Sequence, residues 1–202
     1  MTDPAPSLSS NPTVDKPIAE DASGAVPMSF DLERSVEVLE RTPKTLDAML
    51  RGVSDFWAKS NYGPDTFSPF DVVGHLIEGE KHNWLVRAKH ILEHGDRKPF
   101  AAFDRYAMYT LNDSRTMDDL LTEFALRREA NLAELRGLHL TPAQLASKGA
   151  HPDLGPVTLA QLVASWVVHD LGHTHQIAKA MAYQYRDAVG PWVKFLTILP
   201  RP

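Results

Sequence analysis

The stretch Trp166-Val167-Val168-His169-Asp170-Leu171-Gly172-His173-Thr174-His175-Gln176-Ile177 decides how this chain folds. On a helical wheel, Leu162, Trp166, His169, His173, Ile177 and Ala180 fall within one arc of about 60°. That arc predicts a helix whose core-facing stripe carries two imidazoles one turn apart. His175 lies off the arc and is expected to face outward. Two histidines at i and i+4 form a bidentate grip for a divalent ion, and a third from another helix would leave positions open for water or substrate. Core histidines bonded to carboxylates or carbonyls would produce the same spacing. Either way, buried imidazole nitrogens need partners.

Working outward, Thr158 opens this last helix, which is predicted to run to about residue 185. Ser68 caps another helix with Pro69 at its first position, ending at His94-Gly95. Thr116 caps a third, with Asp118 and Asp119 favouring its N-terminal dipole and Gly137 ending it. A first helical layer begins near Asp31 with Leu32, Val36 and Leu39. Thr42 as N-cap and Pro43 restart it toward residue 53, with a kink at the proline. Asn61-Tyr62-Gly63-Pro64 reads as a loop. Residues 96–115 and 138–156 are long connections, the first with a helical turn near 104–109. No strand pattern or internal repeat is evident, so the expected class is all-α, a four-helix bundle. Residues 1–27, rich in Pro, Ser, Ala and Asp, read as a disordered or loosely docked arm, and 28–202 as the bundle domain.

The third histidine is His75. Its helix has its strongest apolar stripe at Phe70, Val73, Ile77, Trp84, Ala88 and Ile91. His75 lies off centre, beside Val72, Gly79, Asn83 and Val86. It faces inward only if neighbours pack on two sides of the helix. Gly79 leaves room there for close approach. Glu78 and Glu80 follow His75 and read as acidic surface residues or as a base beside it. Trp57, Trp84, Trp166 and Trp192 read as packing anchors. Asp170, Arg127 and Arg128 are expected to face water, Asp170 with the alternative of orienting an imidazole.

Composition narrows the function. The 202 residues, 43% apolar, suffice for one domain with a sizeable core. A net charge of -5 without a basic stripe argues against nucleic acid as a main partner. No cysteine is present, which removes disulfides, thiolate ligands and a cysteine nucleophile. The N-terminal residues do not read as a secretory signal, and no apolar run is long enough for a membrane span. The expected location is the cytoplasm.

Several phrases stand in a fixed order along the chain: Leu39-Glu40-Arg41-Thr42-Pro43, Phe67-Ser68-Pro69-Phe70-Asp71-Val72-Val73-Gly74-His75-Leu76 with Glu80, and Pro99-Phe100-Ala101-Ala102-Phe103-Asp104-Arg105. Trp166 to His173, Gln176-Ile177 and Gly190-Pro191-Trp192 complete them. Together they resemble the DinB-like superfamily of metal-binding four-helix bundles. The resemblance spans most of residues 31–192. It implies up-down-down-up connectivity and a metal site on His75, His169 and His173. It also implies zinc, nickel or a related divalent ion, and a homodimer as the common assembly. Characterised relatives include thiol-dependent S-transferases and related detoxifying enzymes.

The chain therefore reads as a divalent-metal protein acting on a small molecule, either as a thiol S-transferase or as a hydrolase. The resemblance favours transfer. Without a cysteine, a transferase needs a low-molecular-weight thiol from outside. The competing reading is a non-catalytic bundle in which the metal is structural or a small ligand is only bound. Glu78 and Gln176 are the residues to inspect as a fourth ligand.

Overall fold

The computed structural model describes residues 29–111 and 114–199. The expected arm, residues 1–27, lies outside them. The chain runs α1 (Leu32–Leu39), α2 (Arg41–Leu50), α3 (Asp55–Lys59), α4 (Pro69–His82), α5 (Trp84–His94), α6 (Met108–Leu111), α7 (Met117–Gly137), α8 (Pro142–Leu145), β1 (Lys148–His151), β2 (Gly155–Thr158) and α9 (Leu159–Tyr183). A 3-10 turn at Gly190–Phe195 follows.

The helix starts follow their caps. Ser68 with Asp71, Thr116 with Asp119 and Thr158 with Gln161 each form a reciprocal capping box. Asp31 caps α1 through the Arg34 amide. Thr42 does not cap α2, contrary to expectation. The helix begins at Arg41 with only Glu40 between it and α1, and Thr42 is buried inside it. The proline thus sits in a first turn that already follows α1.

Side-chain pairs fix the directions of the four layers. Asn131 and Arg128 of α7 meet Glu80, while Lys89 of α5 meets Glu134, so α4–α5 and α7 run parallel. Arg51 meets Asp118 and Glu40 meets Arg136, so α1–α2 runs antiparallel to α7. Trp84 stacks on Trp166 while the earlier His75 meets the later His173, so α4–α5 runs antiparallel to α9. The result is a four-helix bundle connected up-down-down-up.

Two apolar clusters fill it. One gathers Leu39, Trp84, Ile91, Leu132, Leu162 and Trp166, the other Leu46, Val73, Leu76, Ile77, Phe124 and Ile177. Between them lies a buried polar layer. Arg128 packs over Phe124 and Trp166 and pairs with both Glu80 and Asp170, and all three side chains are at most 1% exposed. The expectation that Arg128 and Asp170 face water is therefore corrected. The centre of α9's buried stripe is Val163, Trp166, Asp170 and Ile177, and the two histidines sit half-buried on its flank. Asp170 is held inside because Arg128 neutralises it.

The second helix is also not continuous. It breaks at Asn83, whose backbone lies at φ -116 and ψ -76. The carbonyl of Glu80 accepts from Asn131 Nδ2 at 2.9 Å, supplying a side-chain partner at the break. Trp84 then folds back on Gly79, where an added Cβ would come within 3.0 Å of the indole Nε1. The second long connection holds an antiparallel hairpin, β1 with β2, where no strand was expected. Its strands are four residues each, too short for alternation to register in the sequence. Gly149 of β1 fits under Ile91 and Phe100, and Phe100 donates its amide to the Ala150 carbonyl. This ties the 96–107 loop to the bundle. Among the described residues no helix is long and apolar enough to cross a membrane.

Candidate metal centre

α4 brings His75 two turns in from the Ser68 cap, and α9 brings His169 and His173 on one face. Because the two helices run antiparallel, the three rings meet near mid-bundle. His75 Nε2 lies 3.2 Å from His169 Nε2, and His173 Nε2 lies 3.1 Å from the same atom. His75 is 6% exposed, whereas His169 and His173 are half-buried. Two-sided packing of α4 is what turns His75 inward, since every residue from Val72 to Glu80 is buried. His175 is exposed, as the wheel indicates.

The far side of each ring differs. His75 Nδ1 bonds the Arg105 carbonyl at 3.1 Å. That carbonyl is held by a local turn in which Asp104 Oδ1 accepts from the Tyr106 amide at 2.9 Å. His173 Nδ1 bonds Gln176 Oε1 at 2.8 Å, one turn along the same helix. Carbonyl-type oxygens accept, so both Nδ1 atoms carry the proton and both Nε2 atoms present a lone pair. Burial lowers the His75 pKa to about 4 and the His173 pKa to about 3, and the neighbouring imidazoles add to this. Both rings are therefore neutral near pH 7. Two Nε2 lone pairs then face His169 Nε2, which has at most one proton to give. At least one lone pair is left without a hydrogen, an arrangement that a cation resolves. His169 Nδ1 is buried without a hydrogen-bond partner, its nearest acid being Asp170 Oδ1 at 3.9 Å.

Ring surfaces close in around the cluster. Phe67 and Phe103 each sit 5.7 Å from the His75 ring, and Trp84 sits edge-on to His169 at 5.0 Å. A cavity of about 330 Å³ opens onto the three histidines and is lined otherwise by Asn83, Phe103 and Arg105. Neither candidate fourth ligand points there as a free donor. Glu78 is buried and bound to Lys81 at 2.9 Å, and Gln176 is engaged with the back of His173. Glu80 does not serve as a base beside His75. Its carboxylate is committed to Arg128 and Asn131, and burial raises its pKa against their pull. Burial pushes the Asp170 carboxyl up most strongly, but the Arg128 charge and the side-chain hydrogen bonds to that carboxylate together outweigh it and hold Asp170 below the usual carboxylate range.

Sequence reasoning did not assign Asn83 or Arg105 to the site. A signal for Asn83 existed, because it shares a helical side with His75 and Gly79. Arg105 closes the phrase Pro99-Phe100-Ala101-Ala102-Phe103-Asp104-Arg105, but no spacing points it at the site, since its place depends on how the loop folds over α4.

The likeness to known proteins agrees with this architecture. YfiT from Bacillus subtilis, described as a probable metal-dependent hydrolase with an unusual four-helix bundle topology, superposes with a TM-score of 0.66 at 23% identity. The match covers 83% of this chain and 95% of that one, and at this identity it speaks for the fold alone. No functionally curated protein matches the sequence. The profile of the DinB superfamily matches residues 38–177, which takes in α4, α7 and all three converging histidines. By that span and by the connectivity of its helices, the chain belongs to the DinB superfamily.

Proposed function

We propose that this protein is a metal-dependent enzyme in which His75, His169 and His173 hold a divalent ion through their Nε2 atoms, with hydrolysis of a small molecule as its reaction. The observation that carries the reading is the convergence of three imidazole nitrogens at the wall of an open cavity. A divalent ion held there supplies Lewis acidity toward a water, a carbonyl or a thiol. Three protein ligands leave coordination positions toward the cavity, the pattern of catalytic rather than closed structural sites.

The chain's own groups prepare that site. The Arg105 carbonyl and Gln176 fix which nitrogen of His75 and of His173 is unprotonated, and so aim both lone pairs inward. The low pKa values of these two rings keep them free of competing protons near neutrality. Phe67, Phe103 and Trp84 exclude water from the ring faces. Hydrolysis is preferred to thiol transfer because YfiT, which shares this fold, is described as a probable metal-dependent hydrolase. Zinc and nickel both suit an all-imidazole donor set.

Elemental analysis of protein purified under metal-replete conditions is expected to find one divalent ion per chain, lost in His169→Ala and His173→Ala. An ester and amide panel, run with and without chelator, is expected to reveal turnover that disappears with the ion. Equal metal content in wild type and variants would end the site assignment. Metal-dependent thermal stability without turnover on that panel, and with turnover on a thiol and electrophile panel, would replace hydrolysis by transfer. Stability without turnover on either panel would assign the ion a structural role between α4 and α9.

A further inference from the structure

The cavity beside the histidines holds two groups that ligation does not use. Arg105 lines it, and only the backbone carbonyl of that residue is engaged. Its guanidinium makes no ion pair or hydrogen bond among the described residues, although its charge lies close enough to act on the His75 ring. Among the described residues no carboxylate lines the cavity, and Arg105 is the one lining residue that carries a fixed full charge. Asn83 is the second group. It is 8% exposed, sits at the break between α4 and α5, and keeps its Oδ1 buried with no partner. A buried amide oxygen without a donor costs about 1–3 kcal/mol, so a ligand that supplies a donor recovers that energy.

We propose that this cavity recognises a small carboxylate bearing an N–H or O–H donor, with Arg105 pairing to the carboxylate and Asn83 Oδ1 accepting from the donor. Size supports this, since about 330 Å³ is at the lower end of small-molecule sites and admits a compound of amino-acid size. Phe103 supplies an apolar wall for a short side chain. The substrate class deepens the hydrolase reading and rests on it. An acylated amino acid has both features, with its scissile amide next to the carboxylate.

The test is calorimetric titration with N-acetylglycine, its neutral analogue N-acetylglycinamide, and butyrate, which lacks the donor. Each is run on metal-free and zinc-loaded full-length protein. Wild type is expected to bind N-acetylglycine more tightly than either analogue in both forms. Arg105→Gln should weaken N-acetylglycine about tenfold or more, the scale of a lost charge-assisted pair, and leave N-acetylglycinamide unchanged. Arg105→Lys should recover part of the loss. Asn83→Ala should weaken N-acetylglycine but not butyrate. Circular dichroism and zinc content serve as fold and site controls, and Arg105→Gln is expected to keep both. Equal binding of acid and amide by wild type, or an Arg105→Gln titration identical to wild type, overturns the proposal. Arg105-dependent binding to a chain that retains no zinc would support this inference and sink the metal reading, so the two fail separately.

Discussion

Replacing Arg128 by Met tests the buried polar layer between the two apolar clusters. Arg128 donates to Glu80 Oε1 at 2.8 and 3.1 Å, to Asp170 at 2.6 and 3.2 Å, and to the Leu39 carbonyl at 2.8 Å. Met keeps an unbranched stem against Phe124 and Trp166 but leaves two buried carboxylates with no cation. Breaking a buried pair in this way costs about 3–5 kcal/mol. With a urea m-value of about 2 kcal/mol/M, the midpoint should fall by about 2 M. The sign of the pH dependence follows from the same charges. Without Arg128 the two carboxylates have folded pKa values raised above those of the unfolded chain. Their penalty is full at pH 7 and is relieved as pH falls and they take up protons. The gap between wild type and variant should therefore narrow toward pH 4.5. A triple variant, Glu80→Leu, Arg128→Met and Asp170→Leu, should recover much of the loss, because apolar replacement of a whole buried ion cluster is often close to neutral. Urea unfolding followed by circular dichroism measures all of this. A loss under about 1 kcal/mol, or a gap that does not narrow on acidification, would refute the view that Arg128 neutralises this layer.

Gln176→Ala frees the back of His173 and should weaken metal binding about tenfold while leaving the fold intact, read by competition with a metal indicator. In the metal-free protein, His75 and His173 have folded pKa values of about 4 and about 3, below the ordinary 6.5. The unfolded chain takes up protons at these positions from about pH 6.5 downward while the native state does not. Stability should therefore fall with pH between 6.5 and 4, by up to about 1.4 kcal/mol per pH unit for each histidine. Urea titrations at pH 7 and pH 5 should show a smaller drop in His173→Gln than in wild type, and equal drops would contradict the assignment. Gly149→Ala places a Cβ 2.6 Å from Ile91 Cγ1 and 2.7 Å from Phe100 Cζ. It should cost about 1–3 kcal/mol and lower the melting temperature, whereas Gly172→Ala, with open space at its Cβ, should not.

Much of the fold is legible in the sequence because it is written in local signals. Ser68-Pro69, Thr116 with Asp119, and Thr158 with Gln161 mark helix starts through contacts three residues apart, and the structure starts helices there. Asp31 and Gly137 behave likewise. The i, i+4 pair His169 and His173 is local too, so its shared face follows from helical geometry alone. Thr42 misled because its cap signal is equally satisfied by burial within a helix. The hairpin was missed because its strands gain their stability from Ile91 and Phe100, not from their own pattern.

The sequence by itself thus determined the starts of α1, α4, α7 and α9, the end of α7 and the ring pair on α9. Only the tertiary structure decided which faces are buried and which residues meet across helices. His75 points inward because α4 is packed on more than one side, a fact no wheel contains. Asp170 and Arg128 are polar by type, yet they occupy the most buried positions because each compensates the other's desolvation across two helices. Asn83 and Arg105 join the site through a helix break and a loop closure. Those outcomes depend on partners far apart in the chain, and local propensity carries no information about such partners.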